Sequence, residues 1–141
     1  MSKTSFLVSN KLDRPNVIYR VILYWYDVSS PPATQGDLFN AVGNCLLQTP
    51  NSENISVISD KIIKNVSSAS VGASNNKERS TMYFKRKIWK NRKIVYNDNL
   101  SATPKNMSLG FAVMCYDAYG TLTTDNIASF SYAYDVKLKE N

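Results

Sequence analysis

Residues Val17 to Val28 read VIYRVILYWYDV. Their β-branched and aromatic content argues for a strand over a helix. With a period of two, Val17, Tyr19, Val21, Leu23 and Trp25 fall on one face. Ile18, Ile22, Tyr24 and Tyr26 fall on the other. A strand apolar on both faces belongs in the middle of a sheet. One face then meets a core and the other a neighbouring element or another subunit. Arg20 interrupts the second face, so a carboxylate partner is expected for it.

The segments on either side read as strands and turns. Ser5 to Val8 is a short strand, and Asp13, Pro15 and Asn16 supply turn chemistry before Val17. Pro31-Pro32 excludes helix and central strand from the loop that follows. Asp37 is placed to cap a short helix through Leu38, Phe39 and Val42, ending near Gly43. Ile55 to Ile63 reads as a strand, and residues 65–76, rich in Ser, Ala, Gly and Asn, as a mobile loop. Met107 to Tyr119 is a further strand. The last, Ala128 to Lys139, alternates most cleanly, with Phe130, Tyr132, Tyr134, Val136 and Leu138 on one face. That alternation predicts a sheet with this face buried. About seven strands, one short helix and polar loops indicate an all-β fold, an antiparallel sandwich or barrel in a single domain over residues 1–141.

The stretch from Thr81 to Tyr96, TMYFKRKIWKNRKIVY, holds the densest positive charge. Of 17 basic residues, 8 lie between Lys77 and Lys93, opposed there only by Glu78. Lys90-Asn91-Arg92 sits where a tight turn would reverse the chain, so a hairpin with a second strand over Lys93 to Asn97 is expected. Tyr83, Lys85, Lys87 and Trp89 would form its outer face, extended by Lys90, Arg92 and Lys93 around the turn. Met82, Phe84, Arg86 and Ile88 would face inward, with Arg86 held by an acid. Cations beside flat rings suit a phosphate backbone with stacked bases. They equally suit a solvated strand whose lysines discourage edge-to-edge aggregation.

The chain has 141 residues and a net charge of +6. Its charge is local rather than general, which favours an anionic partner. No apolar run reaches membrane-spanning length, and no membrane role is expected. The two cysteines, Cys45 and Cys115, lie in unrelated contexts. A reduced, intracellular protein, with each thiol a small buried apolar group, is the simpler expectation. The four Asn-X-Ser sequons, including the one at Asn65, are then unused.

Histidine is absent. That removes the commonest general base, the serine triad and the usual zinc ligands. There is no Gly-rich phosphate loop. The acids are scattered; Asp117 and Asp125 both lie near a turn, where such residues ordinarily cap it. No catalytic residues, metal ligands or cofactor are expected.

The order of segments resembles a family. Tyr19 to Asp27, the proline loop and Gly36-Asp37-Leu38-Phe39 are similar to the central strand and following helix of single-jelly-roll capsid proteins. The likeness is to those of small circular single-stranded DNA viruses that encode a replication initiator. Ser59-Asp60-Lys61-Ile62-Ile63 resembles their next strand. Tyr83 to Lys87 and Lys93 to Asn97 resemble their basic hairpin. Gly110 to Met114 and Ala128 to Tyr134 resemble their last two strands. The likeness runs from Thr4 through nearly the whole chain, with strand C around Phe6, D over Val17 to Val28, and then E to I. The family's strand B and Arg-rich arm have no counterpart in this sequence. The last strand is then an open edge that another chain would cover.

The resemblance implies an eight-stranded jelly roll and a capsid subunit that self-assembles around single-stranded DNA, in the virion and in the host cell. Lys85, Lys87, Trp89, Lys90, Arg92 and Lys93 would meet the nucleic acid. Tyr24 and Tyr26 would serve assembly from an outer face. The competing expectation is a small β module that holds single-stranded nucleic acid without assembling.

Overall fold

The computed structural model describes residues 2–10, 16–41, 43–66, 81–88, 94–96, 104–117 and 128–136. For residues 2, 66, 81–88, 117 and 136 it describes the backbone only. The described elements, in order, are β1 (Ser2–Asn10), β2 (Asn16–Asp27), α1 (Gln35–Leu38), β3 (Ile55–Val66), β4 (Thr81–Ile88), β5 (Met107–Asp117) and β6 (Ala128–Val136). They make two antiparallel three-stranded sheets, ordered β4-β1-β6 and β3-β2-β5. The chain divides into two compact units. The first comprises Met1–Tyr19, Ile63–Asn91 and Cys115–Asn141, and the second Arg20–Ile62 and Arg92–Met114.

In the first unit, β1 is the middle strand of its sheet. Its even positions Thr4, Phe6, Val8 and Asn10 are buried, whereas Lys3, Ser5, Leu7 and Ser9 are half-buried or exposed. One face is therefore covered, as the pleat's period of two requires. A buried polar chain closes one end. The Tyr19 hydroxyl donates to Asn10 Oδ1 at 2.8 Å, and Asn10 Nδ2 donates to the Asn65 carbonyl at 2.9 Å. Burial pushes the Tyr19 hydroxyl well above the usual phenol range. Asn65 is 2% exposed, so its side chain is closed to a glycan in the folded state.

β2, the middle strand of the other sheet, runs from the first unit into the second, which takes it from Arg20 onward. Residues 19–25 are all buried, as the apolar pattern on both faces requires. Tyr24 was expected on an outer, assembling face. It is instead 6% exposed and packs in a cluster with Ile22, Phe39 and Ile55. Tyr26, Leu38, Val57, Ala112 and Met114 pack against that cluster. Gly110 on β5 makes room for the Tyr24 ring. A Cβ built there would lie 2.7 Å from Tyr24 Cε2.

Arg20 finds its carboxylate. Nε and Nη2 donate to the two oxygens of Asp60 at 2.9 and 2.6 Å, and Nη1 donates to the Cys45 and Gln48 carbonyls at 2.6 and 2.7 Å. The guanidinium also sits 5.2 Å from the centre of the Phe39 ring. A planar fork with five N–H donors is needed to hold the carboxylate and two carbonyls together.

Three local expectations are corrected. The helix is a single turn, with Thr34 at the cap and Asp37 three residues inside it. The Asp37 carboxylate accepts from the backbone N–H groups of Ala33 and Thr34 and from Thr34 Oγ1, a capping box. Those donors hold its carboxyl below the usual range. Cys115 is exposed rather than buried. Six strands are described. Of the expected seventh, Lys93 to Asn97, the described residues 94–96 contribute an isolated bridge rather than a strand paired with β4. Val95 donates to Asn106 Oδ1 at 3.1 Å and accepts from the Lys105 N–H at 2.6 Å, and Tyr96 bridges Pro104. Both backbone groups of Val95 are thus used there, while β4 pairs with β1. Residues 89–93, with the proposed turn, lie outside the described residues, as do 67–80 and Asp125.

Candidate nucleic-acid interface

The sheet of the first unit places the predicted basic residues by register. β4 runs antiparallel to β1, with Lys87 opposite Lys3, Lys85 opposite Ser5 and Tyr83 opposite Leu7. On the other flank of β1, Asp135, Ala133 and Ser131 of β6 stand opposite Lys3, Ser5 and Leu7. Directly opposite residues share a face. Lys85, Lys87 and Tyr83 therefore occupy the rows of the partly exposed residues of β1. Arg86, Phe84 and Met82 occupy the rows of Thr4, Phe6 and Val8, which are buried.

The face so defined carries Lys3, Lys85 and Lys87 against Asp135. Lys3 and Lys87 are directly opposed, a like-charge arrangement that destabilises an antiparallel pair. Lys3 escaped the sequence reading because only the β1–β4 pairing brings it to the basic strand. Trp89, Lys90, Arg92 and Lys93 lie outside the described residues, so the register brings together Lys85 and Lys87 of the six predicted contacts.

The opposite rows of β6 depart from expectation. Phe130, Tyr132 and Tyr134 were expected in a buried face, but they are 49%, 48% and 67% exposed. They stand opposite Val8, Phe6 and Thr4, each 2% exposed or less. The reason is position. Among the described residues β6 is at the end of the strand order, with β1 as its neighbour, so cover from the described sheet reaches each ring from one flank. The rings form a ladder, with successive centroids 6.4 Å apart and planes inclined by 27° and 11°. Among the described residues these rings are exposed large apolar groups, as are Leu47, Ile62 and Tyr116, whereas Tyr24 is not.

A cleft of about 320 Å³ beside α1 is lined by Thr34, Gln35, Leu38, Phe39, Cys45 and Met114, among others, and its described lining carries no acid or cation. Among the described residues no three Cys, Asp or Glu side chains converge as metal ligands would, and no helix is long and apolar enough to cross a membrane. Comparison with protein-family models, with curated proteins and with solved structures gives no match.

Proposed function

We propose that the chain is a structural protein, a jelly-roll subunit that self-associates into a closed shell around single-stranded DNA. The observation that carries this reading is the aromatic ladder on β6. Three stacked rings, 48% to 67% exposed on the last strand of the described sheet order, form a surface suited to contact with another copy. Strand order supports the jelly-roll assignment. β4 returns beside β1 while β3 stays beside β2, which is the Greek-key order 4-1-2-3 divided over two sheets. β6 and β5 then return to β1 and β2 on their other flanks. A jelly roll is built from two such keys. In this reading the shell's inner surface includes the basic rows of Lys3, Lys85 and Lys87, and Trp89, Lys90, Arg92 and Lys93 contact the same nucleic acid. It holds the DNA backbone without reading sequence, and the role is architectural rather than catalytic.

The basic rows by themselves favour a second reading, a non-assembling module that binds single-stranded nucleic acid. Light scattering and sedimentation velocity across protein concentration, with and without a single-stranded oligonucleotide, separate the two. The shell reading expects defined particles far larger than the 15.9 kDa chain. A strictly monomeric chain at high concentration and every salt, still binding the oligonucleotide, overturns it in favour of the module.

A further inference from the structure

Leu47 is 82% exposed, more than any other described large apolar residue. A single exposed leucine is ordinary on a protein surface. This one is set apart by its mounting. The Leu47 N–H donates to the Asn44 carbonyl at 2.9 Å, and the Leu46 N–H donates to Asn44 Oδ1 at 3.0 Å. Arg20 Nη1 holds the Cys45 and Gln48 carbonyls that bracket it, and its neighbour Leu46 is buried. The turn is thus pinned at residues 45, 46 and 48 while the side chain of residue 47 stands out. An apolar group carried on an ordered turn loses little backbone freedom when a partner covers it.

The same unit carries a hollow of matching character. The cleft of about 320 Å³ beside α1 takes part of its lining from Leu38, Phe39, Cys45, Ala112 and Met114, which belong to the apolar cluster around Ile22 and Tyr24 or pack against it. The two polar side chains of the described lining are engaged within the loop. Thr34 Oγ1 donates to Asp37 Oδ2 at 2.9 Å, and Gln35 Nε2 donates to the Gly43 carbonyl at 2.7 Å. With no acid or cation in that lining, the cleft suits an uncharged apolar occupant. A cavity of about 150 Å³ holds benzene, so there is room for a leucine side chain. Leu47, being exposed, does not fill the cleft of its own chain.

We infer that Leu47 of one copy of this chain seats in the cleft beside α1 of another. This deepens the self-association reading and rests on it. One twofold patch stops at a dimer, so a closed shell needs a second kind of contact. The ladder on β6 lies in the first unit, and Leu47 and its cleft lie in the second. Knob and hole are different patches, so the contact passes from copy to copy and closes a ring where the rotation allows.

Leu47→Ala removes the knob at an exposed position, and circular dichroism checks that the strand content is kept. The concentration at which the chain associates, measured by sedimentation velocity, is expected to rise at least about tenfold, from the loss of one buried leucine side chain. Leu47→Met keeps an apolar group of similar volume and is expected to stay within about threefold of the parent. Ala33→Trp, at an exposed position in the cleft lining, blocks the hole and is expected to act like Leu47→Ala. Mixed at a concentration where neither associates alone, the alanine and tryptophan variants are expected to form a heavier species, since the Leu47 of one meets the open cleft of the other. Cys45 reports occupancy. In a Cys115→Ser background it is the only thiol. Its alkylation by iodoacetamide is expected to slow as protein concentration rises through the association range, and to stay constant over that range when Leu47→Ala is added.

A parent that associates while Leu47→Ala associates equally and Cys45 reacts at one rate throughout overturns the contact and leaves self-association standing. Weakened association in Leu47→Ala with Cys45 alkylation independent of concentration in the parent overturns the cleft as the seat. A mixture of the two variants that stays monomeric also overturns it. A parent monomeric at every concentration overturns both readings.

Discussion

At the residue scale, Arg20 shows what a charge in an apolar strand requires. Its head group is bound by one carboxylate, two carbonyls and an aromatic face. Arg20→Ala leaves those carbonyls and the Asp60 carboxylate without their donor. The expected cost is about 3 kcal/mol, at the lower end for a broken buried pair because the Asp60 side chain is 31% exposed and can hydrate. Arg20→Lys is expected to recover little of it, since an ammonium cannot reproduce the bidentate fork. Urea unfolding of the three proteins measures this, and a lysine variant as stable as the parent would contradict it. Gly110→Ala drives a Cβ into the Tyr24 ring and is expected to cost about 1–3 kcal/mol, read from the same transitions.

Tyrosine ionisation sets the alkaline limit. Burial raises the Tyr19 and Tyr24 hydroxyls above their ordinary value of 10.0. Between the unfolded and folded values the native state binds more protons, so stability falls as pH rises. Their contribution is complete below pH 10 and is lost above it. Stability measured from pH 8 to 11.5 should be level at first and then decline. In Tyr19→Phe the decline should be shallower. A profile flat to pH 11.5 would show that these hydroxyls titrate alike in both states.

At the element scale, strands were legible in the sequence but their partners and coverage were not. Val17 to Trp25 announced a buried middle strand because no water-facing alternation interrupts it. The alternation in β6 fixed which residues share a face, yet it could not say whether that face is covered. Coverage depends on strand order, which is non-local. The same limit applies to β4. Asn91 offered a local turn, but β4 pairs with a strand at the far end of the chain, and that pairing brought Lys3 to the site. Arg20's acid was foreseeable as a need but not as Asp60, which lies 40 residues away.

The basic rows make their own prediction. Replacing Lys85 and Lys87 together by Ala should weaken single-stranded DNA binding and flatten its salt dependence, by about 0.7 in log-log slope for each phosphate that is no longer neutralised. Lys3→Ala should act in the same direction. Trp89→Ala should cost roughly 1–3 kcal/mol if a base stacks on it. Fluorescence anisotropy with a labelled oligonucleotide decides the matter. Unchanged affinity and slope in the double variant would remove this face from consideration.

At the scale of the whole molecule, the proposed DNA contact and the proposed self-association draw on different rows of one sheet. Lys3, Lys85 and Lys87 share one face, and the Phe130–Tyr132–Tyr134 ladder belongs to the other. The two activities should therefore separate by mutation. Phe130→Lys should abolish large particles while preserving oligonucleotide affinity, and Lys85→Ala/Lys87→Ala should do the reverse. Sedimentation velocity and anisotropy on both proteins provide the check. Simultaneous loss of both activities in either variant would mean that the rows do not act independently.

The pairing of β1 with β6 also orders events during synthesis. A ribosome adds roughly 5–20 residues per second, so β1 emerges on the order of ten seconds before the strand that flanks it. Until then its apolar residues Phe6 and Val8 lack one of their two neighbours, and chaperones have time to engage them. The strand with the exposed rings is the last described element to leave the tunnel. Under the proposed self-association, neighbouring nascent chains on one messenger consequently cannot join through it until that strand of each has emerged.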